Sequence, residues 1–169
     1  MNTMKHIRIE KITLNIGTGK DQNKLEKAVL LLKAITGIEP VKCITTKRIP
    51  AWGLRPGLPI GCKITIRNTQ AHQLLARFID ARDKKLKVDN FDNSGNVAFG
   101  IHEYIDIPQV KYDPKIGIMG LQICLTLQRP GFRVKRRSVK QAKVGKHHVI
   151  TRQEAIDYLH SEFGVTVGE

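Results

Sequence analysis

Acidic side chains are absent from two long stretches of this sequence. No Asp or Glu lies between Glu39 and Asp80, and none between Asp113 and Glu154. Of the 29 Lys and Arg residues, 17 fall inside those two stretches, and the other 12 stand against all 15 acids. The formal charge of +14 is therefore local rather than general. A solubility role would spread it over the surface. Two acid-free tracts on an otherwise slightly acidic chain point to a polyanionic partner. Nucleic acid leads. An anionic membrane is the weaker reading, because neither tract has the pattern of a basic amphipathic helix. The same absence weighs against an enzyme acting on nucleic acid, which needs carboxylates or a metal cluster beside its basic surface.

Other absences narrow the choice further. No window approaches the roughly 18 apolar residues of a membrane span. The opening M-N-T-M-K-H-I-R-I-E has no apolar signal core, so a cytoplasmic protein is expected. The three cysteines, Cys43, Cys62 and Cys124, are odd in number and form no CxxC pair. That argues against a disulfide framework and a zinc ribbon, and for buried reduced thiols. Gly17-Thr18-Gly19 follows a strand and precedes a helix, but Gln22 stands where a dinucleotide loop needs its third glycine. His147-His148 and His102-Glu103 match no ligand spacing. No cofactor, metal site or catalytic constellation is expected.

What is present is organised around Pro40–Arg67. Pro50, Pro56 and Pro59, with Gly53, Gly57 and Gly61, interrupt its middle. Residues 46–59 are read as a long loop projecting from two strand stems, carrying Lys47, Arg48, Trp52 and Arg55. A loop of that size is functional or disordered. The return stem alternates: Ile60, Cys62, Ile64 and Ile66 on one face, Lys63, Thr65 and Arg67 on the other. Residues 6–16 form another alternating strand, with a bulge near Glu10–Lys11 and then Thr13 and Asn15 on its polar face. Asp21 caps a helix with Leu25, Ala28, Val29, Leu32 and Ile35 inward, ended by Gly37. Asn68 or Thr69 caps a second helix, with Leu74, Leu75, Phe78 and Ile79 inward. Residues 80–96 read as loop with a short strand near Leu86–Val88, and Val97–Ile101 as a strand. Ile116–Leu127 is a further strand, with Gln122 and Thr126 among its polar positions. Residues 132–148 have few large apolar groups and are expected to be poorly ordered without a partner. Their cations Arg133, Lys135, Arg136, Arg137, Lys140, Lys143 and Lys146 are candidates for further contact with the polyanionic partner. Thr151-Arg152-Gln153-Glu154 is a capping box opening the last helix, with Ala155, Ile156, Leu159 and Phe163 inward. The fold class is α+β: a single domain over 1–169, with a largely antiparallel sheet, helices on one face and a long basic loop.

Three strands thus share a polar face with almost no acid. Thr13, Asn15, Lys63, Thr65 and Arg67 offer short donors and acceptors plus cations, a set suited to phosphates and 2′-hydroxyls. Aromatics are only 5% of the chain, and this face has none for stacking splayed bases. Folded RNA fits better than single strands.

The blocks K-I-T-L-N-I-G, A-I-T-G-I-E-P, P-I-G-C-K-I-T-I-R, F-G-I-H-E-Y-I-D-I and Y-D-P-K-I-G-I-M-G-L occur in this order. Together they resemble the universal large-subunit ribosomal protein family that binds 5S rRNA, numbered five in bacteria and archaea. The resemblance covers nearly the whole chain. R-P-G-F-R, the basic run and G-K-H-H-V-I-T-R-Q-E-A are similar to its archaeal and eukaryotic branch. The resemblance implies a non-catalytic role in the central protuberance, touching 5S rRNA, nearby large-subunit rRNA, neighbouring ribosomal proteins and the small-subunit head. It places Asn15 and Thr65 at 5S-contacting positions and the 46–59 loop near the peptidyl-site tRNA. Ile38 stands where the family commonly has a Gln, so no contact is assigned there.

Overall fold

A computed structural model describes residues 2–168. The first long element is β1 (Arg8–Gly17), followed by α1 (Gln22–Thr36), β2 (Val41–Ile44) and β3 (Pro59–Ile66). Then come α2 (Asn68–Asp80), β4 (Lys85–Lys87), β5 (Val97–Ile101) and β6 (Leu121–Gln128). The short α3 (Arg133–Arg136), α4 (Arg152–Phe163) and β7 (Thr166–Gly168) complete the chain. Five strands form a largely antiparallel sheet in the order β2-β3-β1-β6-β5, and β4 pairs with β7 in a parallel ribbon. The α+β class read from the sequence is the class observed. Contacts gather into two compact units, neither of them a continuous stretch of chain.

One unit comprises residues 13–66 and 100–123. Asp21 caps α1 through its carboxylate, which accepts from the Asn23 and Lys24 amides at 3.0 and 3.2 Å. Gly37 ends the helix in the left-handed region, as expected of a glycine after the last turn. The buried stripe of α1 is Leu25, Ala28, Leu31, Leu32 and Ile35. Leu31 replaces the expected Val29, which is only half-buried. This stripe packs against β3. Tyr104 is buried, and its hydroxyl accepts from the Asp113 amide at 3.0 Å.

The other unit comprises residues 2–12, 67–99 and 124–168. Its core includes Leu74, Leu75, Phe78 and Ile79 of α2, as the periodicity indicates. Ala155 and Leu159 of α4 are buried, while Ile156 and Phe163 are half-buried. The capping box forms: Thr151 Oγ1 accepts from the Glu154 amide, and Glu154 Oε2 accepts from the Thr151 amide.

Two expectations need correction, and one element was not foreseen. The strand expected over 116–127 begins only at Leu121, because Asp113 O accepts from both the Ile116 and Gly117 amides and winds that stretch into a turn. Asn68 does not cap α2 with its side chain; it takes φ 61°, and no side-chain cap bond closes that helix start. β7 has no counterpart in the sequence reading, since three residues are too few to show an alternation. Residues 132–148 carry local hydrogen bonds. The Ala142 amide donates to Val134 O at 3.2 Å, Gln141 Nε2 to Lys135 O at 2.6 Å, and Arg137 Nε to Lys140 O at 2.8 Å.

Candidate nucleic-acid interface

The polar sheet face forms in the unit of residues 13–66 and 100–123. On β1, Leu14 and Ile16 are buried while Thr13 and Asn15 are half-buried between them. On β3, Cys62, Ile64 and Ile66 are buried while Lys63 and Thr65 are exposed. β1 and β3 are neighbours, so the side chains turned away from the core lie on a common face. Among the described residues, none of the Thr13, Asn15, Lys63 and Thr65 side chains is engaged with another protein group. Rigid strands hold them, and their hydrogen-bonding capacity is unused. Gly61 makes the close approach of the two strands possible, since a Cβ there would meet Ile16 O at 2.6 Å.

Residues 46–59 are pinned by local hydrogen bonds and one buried side chain. The Thr45 amide donates to Leu58 O and the Gly57 amide to Thr45 O, both at 2.9 Å. Leu54 is only 6% exposed and bridges to Ile49, and Pro50–Trp52 makes one tight turn ended by left-handed Gly53. This apolar pin leaves Lys47, Arg48 and Arg55 exposed, and Trp52 69% exposed. The indole is therefore not a core element.

The cations of the other unit divide into two groups. Arg133, Lys135, Arg137, Lys140, Lys143 and Lys146 are exposed. Arg136 and Arg67 are also exposed but converge on one acid. Arg136 Nη1 sits 2.9 Å from Glu10 Oε1, and its Nη2 donates to Gln128 Oε1 at 2.9 Å. Arg67 Nη1 lies 3.7 Å from the same Glu10 oxygen. The Glu10 side chain is 14% exposed, so this pairing is partly shielded from water. Sequence reasoning misses it because Glu10 lies far from both tracts in the chain.

Sequence reasoning also misses Arg129 as a structural residue. It lies inside the second basic tract but is 4% exposed. Its Nε donates to Lys5 O at 3.2 Å, its Nη1 to His148 O and Val149 O, and its Nη2 to Glu154 Oε1 at 2.7 Å. This cation clasps the fold and cannot serve a polyanion. The Glu154 carboxyl is held below its usual value, first by the Thr151 backbone N–H and then by Arg129.

Two weaker candidates resolve against ligand chemistry. The Thr18 and Gly19 amides both donate to Ile60 O, at 2.9 and 3.1 Å, so neither is left for a phosphate. His148 Nε2 is 2.8 Å from Pro130 O, and among the described residues no group of three His, Cys, Asp or Glu could hold a metal. Burial, with Cys43 nearby, pushes the Cys62 thiol up to about 11, which keeps it protonated and unreactive.

The family described as ribosomal protein L5 matches residues 2–55, and the model of that family's C-terminus matches residues 59–158. The chain belongs to the ribosomal protein L5 family. The two matches meet at the end of the pinned loop, so the family spans both stems. A large ribosomal subunit protein uL5 from Nanoarchaeum equitans is 47% identical over 165 residues, covering 97% of each chain. The protein of that name from Nitrosopumilus maritimus is 49% identical over 164 residues, covering 97% of this chain and 95% of its own. That from Sulfurisphaera tokodaii is 43% identical over 170 residues, covering 100% and 96%. Membership in the L5 family makes this a structural protein and not an enzyme. These relatives are archaeal, in keeping with the branch that the basic run and R-P-G-F-R resemble.

Proposed function

We propose that the chain is a structural constituent of the large ribosomal subunit that docks on 5S rRNA through the β1–β3 face. Thr13, Asn15, Lys63 and Thr65 supply the contacts. Arg133, Lys135, Arg137, Lys140, Lys143 and Lys146 reach adjacent large-subunit rRNA. Lys47, Arg48, Trp52 and Arg55 approach the peptidyl-site tRNA during translation. The observation that carries this reading is the free polar face: four side chains fixed on strands, none engaged within the protein, and no acid among them. Strands fix geometry, so this face can match one RNA shape. The loop presents charge and an indole at a distance from a scaffold, which suits a partner that comes and goes. Arg136 is left out of the rRNA set in the free protein, since Glu10 and Gln128 already hold it.

Paired substitutions test the division. Asn15→Ala with Thr65→Ala should weaken binding to folded 5S rRNA by about 1–3 kcal/mol, the loss expected of directed hydrogen bonds. Arg48→Ala with Arg55→Ala should leave 5S binding nearly intact and speed tRNA dissociation from the peptidyl site of assembled ribosomes. Filter binding and tRNA release rates measure the two effects. Loss of 5S binding in the loop pair alone would reverse the assignment.

A further inference from the structure

Beside the Glu10–Arg136 pair lies a groove of about 690 Å³. Its size falls in the roughly 300–1,000 Å³ range of small-ligand clefts. Its lining is mixed in an informative way. Leu127 and Val144 give an apolar floor, and Phe132 adds one aromatic ring. Asn96, whose Nδ2 donates to Asp92 Oδ2 at 3.2 Å, adds its amide oxygen, and Lys135 and Lys143 add exposed cations at the rim. Glu10 Oε1 is held by the two guanidiniums, while Oε2 has no protein partner among the described residues.

We infer that this groove takes a single unstacked nucleotide of a folded RNA, base inward and phosphate at the rim. The inference rests on the reading of the chain as an RNA-binding protein and adds a site to it. A phosphate alone would not need an apolar floor. A purely apolar ligand would gain nothing from the cations. A nucleotide needs both: a flat surface for the base face, an amide and a carboxylate oxygen for its edge, and ammonium groups for its phosphate. The Arg136 bonds to Glu10 and Gln128 hold the α3 wall in place, so the groove exists before RNA arrives.

The test is an amide chemical-shift titration of the full chain with AMP, GMP, CMP and UMP, beside ribose 5-phosphate. At least one nucleotide should move the Asn96, Thr126, Ala142 and Val144 amides, with ribose 5-phosphate moving only those near Lys135 and Lys143. Ala142 lines the groove yet is exposed, so Ala142→Trp fills the space without disturbing the core. It should weaken nucleotide binding at least tenfold. Identical shifts from nucleotides and ribose 5-phosphate, or none from any nucleotide, would overturn the inference. The Asn15→Ala, Thr65→Ala protein should titrate with nucleotides as the unsubstituted protein does. Failure of the sheet face and failure of the groove are thereby separable.

Discussion

Arg129→Ala should reduce the stability of the fold by about 3 kcal/mol, near the lower end of what removing one partner of a buried ion pair costs. The guanidinium ties Lys5, His148, Val149 and Glu154 together, four points otherwise distant from it in the chain. Its removal strands three carbonyls and also takes away the packing of a long buried stem. The cost stays below the extreme because the Glu154 side chain is 41% exposed and keeps some access to water. A pH arm identifies the mechanism. The folded Glu154 carboxyl titrates below its usual range, so its contribution is present above that range and is lost as pH falls through the lowered value. Thr151 is the larger cause and Arg129 a lesser one, so the variant retains part of this acid dependence. Denaturant titrations at neutral and acid pH should show the gap between the two proteins narrowing in acid. A constant gap would mean that the carbonyl bonds carry the whole effect.

The second large effect is expected at Gly61. A Cβ there would lie 2.6 Å from Ile16 O and 3.4 Å from Gly17 Cα. Both are backbone atoms of the neighbouring strand, so no rotamer relieves the clash and β1 must move off β3. Overpacking costs about 1–3 kcal/mol, and a clash with backbone places Gly61→Ala at the upper end. The displacement also separates Asn15 from Thr65, so 5S rRNA affinity should fall even where the variant remains folded. Gly145 has nothing within 4 Å of a built Cβ, and Gly145→Ala should change stability by less than about 0.5 kcal/mol. Equal stability of the two variants would mean that the β1–β3 spacing is not fixed by Gly61.

Period-two alternation makes the polar sheet face legible before any coordinates. It places Thr13, Asn15, Lys63 and Thr65 opposite Leu14, Ile16, Ile64 and Ile66, and the structure does the same. The same rule could have found Arg129. It continues the phase of Leu121, Ile123, Leu125 and Leu127, all buried, and its position therefore faces inward despite its charge. Charge counting alone assigns every cation of the second tract to a partner, whereas Arg129 and Arg136 are engaged within the protein. The pairing of β4 with β7 joins residues about eighty positions apart, and no local pattern encodes such a register. The hydrogen bonds within residues 132–148 are illegible for a related reason: they run from side chain to backbone and leave no apolar period.

Photocrosslinking to folded 5S rRNA tests the central claim, that the polar sheet face is the docking surface. A photoreactive residue is placed either at Lys63, exposed on β3, or at Leu30, exposed on α1. Efficient crosslinks from position 63 with none from position 30 are the predicted result. Crosslinks from position 30 with none from position 63 would contradict the account.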